Sequence, residues 1–210
     1  RRRQELIDAQ IRMMQAQLNP HFLYNTLDTV KWMGKINQVP EVATVAADLA
    51  DILRSSISGD EFVTLEQELL TLRRYVEIQS IRFPGKFTLE TDVDEAALDV
   101  LVPKLMLQPI VENSIIHGFA DSGGRIEVRA RMSGEELEVT VQDDGCGMSE
   151  ESLRRFREPG TDEKRNHLGL RNVDAILRLH YGEDHGLRFP PADGRGTCVE
   201  ISLPARFEEG

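Results

Sequence analysis

Cysteine is scarce: the 210 residues hold two, Cys146 and Cys198, too few for a disulfide framework, so a reducing compartment is the default expectation. Long apolar runs are missing as well. None approaches the ~18 residues needed to cross a bilayer, and no signal-peptide pattern is present. Basic residues are in the minority, 25 Lys and Arg against 36 Asp and Glu, a net charge of −11. A general nucleic-acid binder needs a basic surface to neutralise phosphates, so direct nucleic-acid binding is not expected. Internal repeats and low-complexity segments are absent. His180 and His185 flank a turn without metal-ligand spacing, which leaves no credible zinc site. What is present is enough for a packed core, 40% hydrophobic residues, in a length that suits one or two domains.

Arg1-Arg2-Arg3 leads directly into a helical pattern. That opening looks like part of a longer protein. A basic cluster just inside a membrane after a last transmembrane segment, and a boundary in an ordinary linker, explain it equally well. Leu6, Ile7, Met13, Met14 and Leu18 predict an amphipathic helix over 2–18, interrupted by Pro20, which removes a backbone donor. The pattern resumes through Phe22, Leu23, Leu27, Val30 and Met33, where Trp32, like the Met13-Met14 pair, reads as bundle core. A further helix is predicted over 41–57. Thr64 with Gln67 three residues on has the form of a capping box opening a helix to about Arg82, before Pro84-Gly85. The first 82 residues thus read as all helix.

Beyond Pro84-Gly85 the period changes to two. Strands are predicted at 86–93, 125–131, 136–141 and 197–203, with helices at 103–118, 149–157 and 168–181. Helices alone in the first part and strands in the second predict an α+β chain of two domains, 1–83 and 84–210. Residues 157–167, charged and carrying Pro159-Gly160, are too long for a tight connection and suggest a mobile loop.

Three motifs in the second part carry chemistry. Asp143-Asp144-Gly145-Cys146-Gly147-Met148 follows a strand, and its glycines permit a sharp turn close to a ligand. An ordinary Asp-Gly turn explains the hexapeptide as well, and the Cys146 thiol reads as incidental. Leu168-Gly169-Leu170-Arg171-Asn172 opens a helix whose free N–H groups suit phosphate, or is a plain helix start. Glu112-Asn113 lies on a helix that would place Asn113, Ile116 and His117 on one face, where an amide oxygen beside a carboxylate suits Mg²⁺. A hydrogen-bonded buried asparagine is the simpler explanation of that motif by itself.

Taken in order, Glu112-Asn113, Asp143-x-Gly145-x-Gly147, Gly169-Leu170 and Gly194-x-Gly196-Thr197 resemble the ATP-binding domain of the GHKL superfamily. Leu18-Asn19-Pro20-His21-Phe22-Leu23-Tyr24-Asn25-Thr26-Leu27 is similar to the phosphoacceptor motif of LytS/YesM-type sensor histidine kinases. Glu68-Leu69, Tyr75-Val76-Glu77-Ile78, Ile81-Arg82-Phe83 and Gln108-Pro109-Ile110-Val111-Glu112-Asn113 also match that family's pattern.

The resemblance implies a helical dimerisation and phosphotransfer domain followed by a Bergerat-type α/β sandwich that binds ATP and Mg²⁺. In that scheme His21 accepts the γ-phosphoryl group of ATP, with Asn25 on the same helix face free to orient the imidazole, to cap or to pack. Asn113 holds Mg²⁺, with Glu112 beside it near the phosphates and the nearest candidate base by type. Asp143 accepts from the adenine amino group, with Thr197 nearby. Gly145, Gly147, Gly169 and Leu170 let backbone close on the nucleotide. His117 touches phosphate or caps its helix. Residues 157–167 are the ATP lid. Helices at 10–38 and 64–82 form a homodimer, so that 84–210 alone would be a nucleotide-binding monomer. A cognate response regulator receives the phosphoryl group, and the whole is the cytoplasmic part of a membrane sensor whose transmembrane segments lie upstream.

Some residues depart from the family pattern. Ile116 stands where a lysine is frequent, leaving Lys164, Arg165 or Arg171 to supply charge to the phosphates. His167 replaces a common glycine, and Phe22 follows His21 where many histidine kinases have an acid. Two alternatives therefore stay open beside the kinase: a GHKL ATPase clamp, which would need a transducer domain after Leu203, and a degenerate nucleotide-binding module that relays conformational change without efficient transfer.

Overall fold

A computed structural model describes residues 20–57, 61–119, 123–157, 168–192 and 195–208. The helix expected over 2–18 and the lid residues 158–167 lie outside them. The chain divides into two compact units, 1–60 and 61–210.

The first unit is a helical hairpin of α1 (Pro20–Ile36) and α2 (Pro40–Ile57). The connection is short: Val39 N–H donates to the Gly34 carbonyl at 2.8 Å, and Gln38 takes a left-handed φ of 57°. Close helix approach needs small residues. A Cβ on Gly34 would lie 2.8 Å from the Ala43 nitrogen, and Ala43, Ala46 and Ala50 are buried along α2. Trp32, expected in the bundle core, is instead 62% exposed, with Met33, Ile36 and Val42 exposed too.

In the second unit the chain pairs β1 (Phe62–Thr64) antiparallel with β3 (Leu101–Pro103), and between them runs α3 (Leu65–Arg82). The first 82 residues are therefore not all helix. The capping box does open α3: Thr64 Oγ1 accepts from Gln67 N–H and Gln67 Oε1 accepts from Thr64 N–H, both at 3.3 Å. Leu65, Leu69, Leu72, Tyr75 and Val76 of α3 are buried in this unit. The division into compact units thus falls before α3, and much of the apolar face that was expected to seek a dimer partner at 64–82 is covered within the second unit, while Leu70 and Ile81 stay exposed.

The main sheet has the order β2 (Phe87–Val93), β4 (Gly124–Ser133), β5 (Glu136–Asp143), β6 (Cys198–Pro204), with β2 parallel to β4 and the rest antiparallel. Strict alternation in β4 and β5 buries Ile126, Val128, Ala130, Leu137, Val139 and Val141 on one face and leaves charged residues on the other. The covering helices supply Ile110, Val111 and Ile115 from α4 (Gln108–Asn113) and its continuation, and Leu170, Val173 and Leu177 from α6 (Leu168–Tyr181). A short α5 (Glu150–Arg157) follows β5.

The helix expected over 103–118 is broken at both ends. Residues 104–107 form a turn with Leu105 at φ 59°, and 114–118 wind as a π-helix. Pro109 sits in the first turn of α4, where its missing N–H costs nothing.

Candidate functional site

The turn after β5 gathers three parts of the chain around one carboxylate. Asp143 is 2% exposed. Its Oδ1 accepts from the backbone N–H of Gly145 at 3.0 Å and of Thr197 at 3.1 Å, and its Oδ2 accepts from the Ser114 hydroxyl at 2.6 Å. The Asp143 N–H in turn donates to the Thr197 carbonyl at 2.9 Å. A carboxylate has about four acceptor positions, so one on Oδ2 is left for a further donor. A carboxyl group this deeply buried is tolerable only with such partners.

Ser114 reaches Asp143 because the helix widens there. The π-turn begins at Ser114 and ends at Gly118, whose carbonyl accepts from Cys146 N–H at 2.9 Å. The 3.6-residue period on which Asn113, Ile116 and His117 would share a face does not apply across this turn. Asn113 and Glu112 are half-buried on α4, whereas Ile116 (44% exposed) and His117 are exposed. The Cys146 thiol donates to the His117 carbonyl at 3.3 Å. π-turns of this sort recur at functional sites, where they aim a side chain that a regular helix would not.

The glycines close the loops on one another. A Cβ on Gly145 would lie 2.4 Å from the Gly118 oxygen, and one on Gly196 would lie 1.8 Å from the Asp143 oxygen. Gly147 (φ 79°) and Gly196 (φ 106°) adopt backbone conformations that other residues avoid, with the Gly147 position 2.9 Å from the Gly196 oxygen. A Cβ on Gly169, at the start of α6, would lie 3.1 Å from the Pro109 Cβ, so α6 sits closely on the first turn of α4. These glycines therefore hold the site together whatever they do toward a ligand.

Leu170 is buried in the core beside this junction. Arg171 faces elsewhere: it lines a separate cavity of about 1050 Å³ with Phe156, Asp174, Arg178 and Phe189. A smaller hollow of about 220 Å³ lies beside Thr197, lined by Met148, Leu153, Phe189, Pro190 and Gly196. Its link to Asp143 is Thr197, which lines it and whose N–H donates to the Asp143 carboxylate. Asn25 is exposed on α1, and the backbone of His21 belongs to the first turn of the same helix, while its side chain lies outside the described residues. Lys164, Arg165 and His167 lie outside them too.

Sequence reasoning missed Ser114, Gly118 and Glu68. Ser114 adjoins the chosen Glu112-Asn113 pair but carries no motif spacing of its own. Gly118 looked like a helix end, though its Cβ would come 3.4 Å from Asp143 Oδ1. Glu68 was noted as part of the family pattern Glu68-Leu69, but no role was read from it.

Residues 9–87 match the family model described as Histidine kinase, and residues 99–206 match that described as Histidine kinase-, DNA gyrase B-, and HSP90-like ATPase. The sensor histidine kinase YesM of Bacillus subtilis is 33% identical over 96% of this chain and 34% of its own length. The sensor histidine kinase/phosphatase LytS of Staphylococcus aureus is 30% identical over 97% of this chain and 36% of its own. The chain thus spans about a third of the length of these relatives. Its fold is similar to that of the histidine kinase domain of the Erythrobacter litoralis EL346 blue-light activated histidine kinase, with TM-score 0.52 and 21% identity over 97% of this chain and 94% of that one. By both family matches, the chain belongs to the histidine kinases that carry a gyrase B- and HSP90-like ATPase domain.

Proposed function

We propose that this chain is the kinase portion of a sensor protein-histidine kinase: it binds MgATP, accepts the γ-phosphoryl group on His21, and passes it to an aspartate of a response regulator. The observation that carries the reading is the Asp143 carboxylate, held by Ser114, Gly145 and Thr197 with one acceptor position left, Thr197 also lining a partly apolar hollow. That is the chemistry an adenine ring requires, an acceptor for its amino group and a dry wall for its face.

Asn113 and Glu112 are half-buried oxygen donors one turn from the Asp143 cluster, the donor type that Mg²⁺ takes. The ion would supply charge neutralisation at the phosphates. Asn113 would hold the ion through its amide oxygen, and the start of α6 would offer backbone N–H groups to anionic oxygen. Phosphoryl transfer through a loose transition state asks for positioning and charge more than for covalent machinery. A neutral imidazole nitrogen of His21 forms the N–P bond as the bond from phosphorus to the β,γ-bridging oxygen breaks, and ADP leaves with that electron pair. The second step breaks N–P and forms an acyl phosphate on the regulator.

Two copies pair through the α1–α2 hairpin, where Trp32, Met33, Ile36 and Val42 present an uncovered apolar face. In this reading the chain is the cytoplasmic part of a membrane-linked sensor. No helix among the described residues is long and apolar enough to cross a membrane. A second reading, relay without efficient transfer, is favoured by one observation: Ile116 is exposed where a phosphate-reaching lysine is expected. Incubation with γ-labelled ATP separates the two. Acid-labile label on wild type and none on His21→Ala supports the kinase. Nucleotide binding without label supports the relay.

A further inference from the structure

The turn 104–107, from which the Glu112-Asn113 helix starts, has no hydrogen-bonding ladder of its own. It is held from α3. The Glu68 carboxylate, 2% exposed, accepts from Leu105 N–H at 2.9 Å through Oε2 and from Leu107 N–H at 2.8 Å through Oε1. Met106 N–H leans onto the same carboxylate. Leu105 occupies the left-handed region at φ 59°, costly for a residue with a Cβ unless its surroundings impose it. The carboxylate contacts at Leu105 and Leu107 lie on either side of the bend and favour that conformation.

A second, electrostatic interaction links the same helices. Tyr75, two turns further along α3, is buried near enough to Glu112 that burial, and then the Glu112 charge, push its hydroxyl above the usual range. Pro109 adds a third constraint, since it carries Gly169 of α6 on the first turn of α4. The placement of Asn113, five residues beyond Gln108, therefore depends on where the turn 104–107 is pinned.

We infer that Glu68 is a positioning residue of the nucleotide site: from α3 its carboxylate pins the turn 104–107 and so sets the position of the helix that carries Glu112 and Asn113. It touches neither nucleotide nor metal in this scheme. Asp143 is tied to that helix through Ser114 but is also held by the N–H groups of Gly145 and Thr197, so the adenine end of the site shares this dependence only in part. The inference rests on the nucleotide-site reading above.

The test uses residues 1–210, as wild type, Glu68→Gln and Glu68→Asp. Glutamine keeps the shape but offers one acceptor, so at least one of the Leu105 and Leu107 N–H groups faces an amide NH₂. Aspartate keeps the charge with a shorter reach. Hydrogen–deuterium exchange of the apoprotein reads the turn, and calorimetry with ADP, with and without Mg²⁺, reads the site. Exchange at 104–107 is expected to rise in both variants. The Mg²⁺-dependent gain in affinity should fall about tenfold in Glu68→Gln, as when a metal ligand loses its support, and less in Glu68→Asp, with Mg²⁺-free ADP affinity within about twofold of wild type. A general loss of stability would lower both affinities together and overturns the inference. So does a variant, either one, with a loosened turn and an unchanged Mg²⁺-dependent gain. If wild type binds no nucleotide at all, the functional reading falls, and this inference with it.

Discussion

Replacing Asp143 by asparagine separates the architectural duty of this carboxylate from its duty toward a ligand. Asparagine keeps an oxygen at Oδ1, so the N–H groups of Gly145 and Thr197, at 3.0 and 3.1 Å, retain their acceptor. At the other end an amide NH₂ replaces Oδ2, and the Ser114 hydroxyl, 2.6 Å away, turns from donor to acceptor. Three contacts survive, and the loss in unfolding free energy should stay within about 1 kcal/mol. The adenine amino group fares differently, since it would meet another NH₂. Losing a hydrogen bond to a charged acceptor costs about 1.5–3 kcal/mol, or roughly 10- to 150-fold in Kd. Calorimetry with ADP should show that loss while thermal unfolding barely moves. A 6-oxo purine, inosine diphosphate, presents an acceptor instead and should bind Asp143→Asn more tightly than ADP does, with the reverse order in wild type. Unchanged ADP affinity in a folded Asp143→Asn variant would refute the placement of adenine at this carboxylate.

The remaining expectations follow from the same contacts. Residues 84–210 lack Leu65, Leu69, Leu72, Tyr75 and Val76, all buried; at about 1.5–3 kcal/mol for each such side chain the loss approaches a whole domain's stability. Circular dichroism should find 84–210 unfolded and 61–210 cooperatively folded, and a cooperative melt of 84–210 would contradict this. Burial raises Glu68 from 4.5 to about 7, so the fold prefers its protonated form. Its contribution is full below the unfolded pKa and is lost as pH rises through about 7. Wild type should therefore lose about 3 kcal/mol relative to Glu68→Gln between pH 4.5 and 7 in denaturant titrations, and a constant difference would rule the shift out. Gly196→Ala places a Cβ 1.8 Å from the Asp143 oxygen at φ 106°, and should unfold or lose ADP binding altogether; full ADP affinity in this variant would show that the loop is free to shift.

Much of the second unit is written plainly in residue order. The strands β2, β4 and β5 show because one sheet face is buried and the other wet, which imposes a period of two on the sequence. The α3 capping box shows because its two hydrogen bonds need only local residues. What escaped notice depends on partners distant in sequence. The strands β1 and β3, three residues each, are too short to show a period, and they exist because they pair with each other. The turn 104–107 reads as helix because Leu105, Met106 and Leu107 are good helix formers, and a carboxylate 37 residues away overrides them. The packing of α3 into the second compact unit was hidden for the same reason: a helix followed by strands looks like the end of a helical domain until its buried face is seen. At the site, Asp143, Gly145, Gly147, Gly169 and Thr197 were legible as motifs, and the structure brings them and the Asn113 helix to one place. The reason for the glycines was not legible, since Gly145 and Gly196 are demanded by the Gly118 and Asp143 backbone oxygens, contacts that no local pattern encodes.

Transfer to His21 is the central claim, and one experiment meets it directly. Residues 1–210 are incubated with γ-labelled MgATP as wild type, His21→Ala and Asn113→Ala, and the label is followed through acid and alkali. Wild type should carry label that acid removes and alkali spares, His21→Ala none, and Asn113→Ala far less than wild type. Acid-stable label, or undiminished label on His21→Ala, would contradict the account.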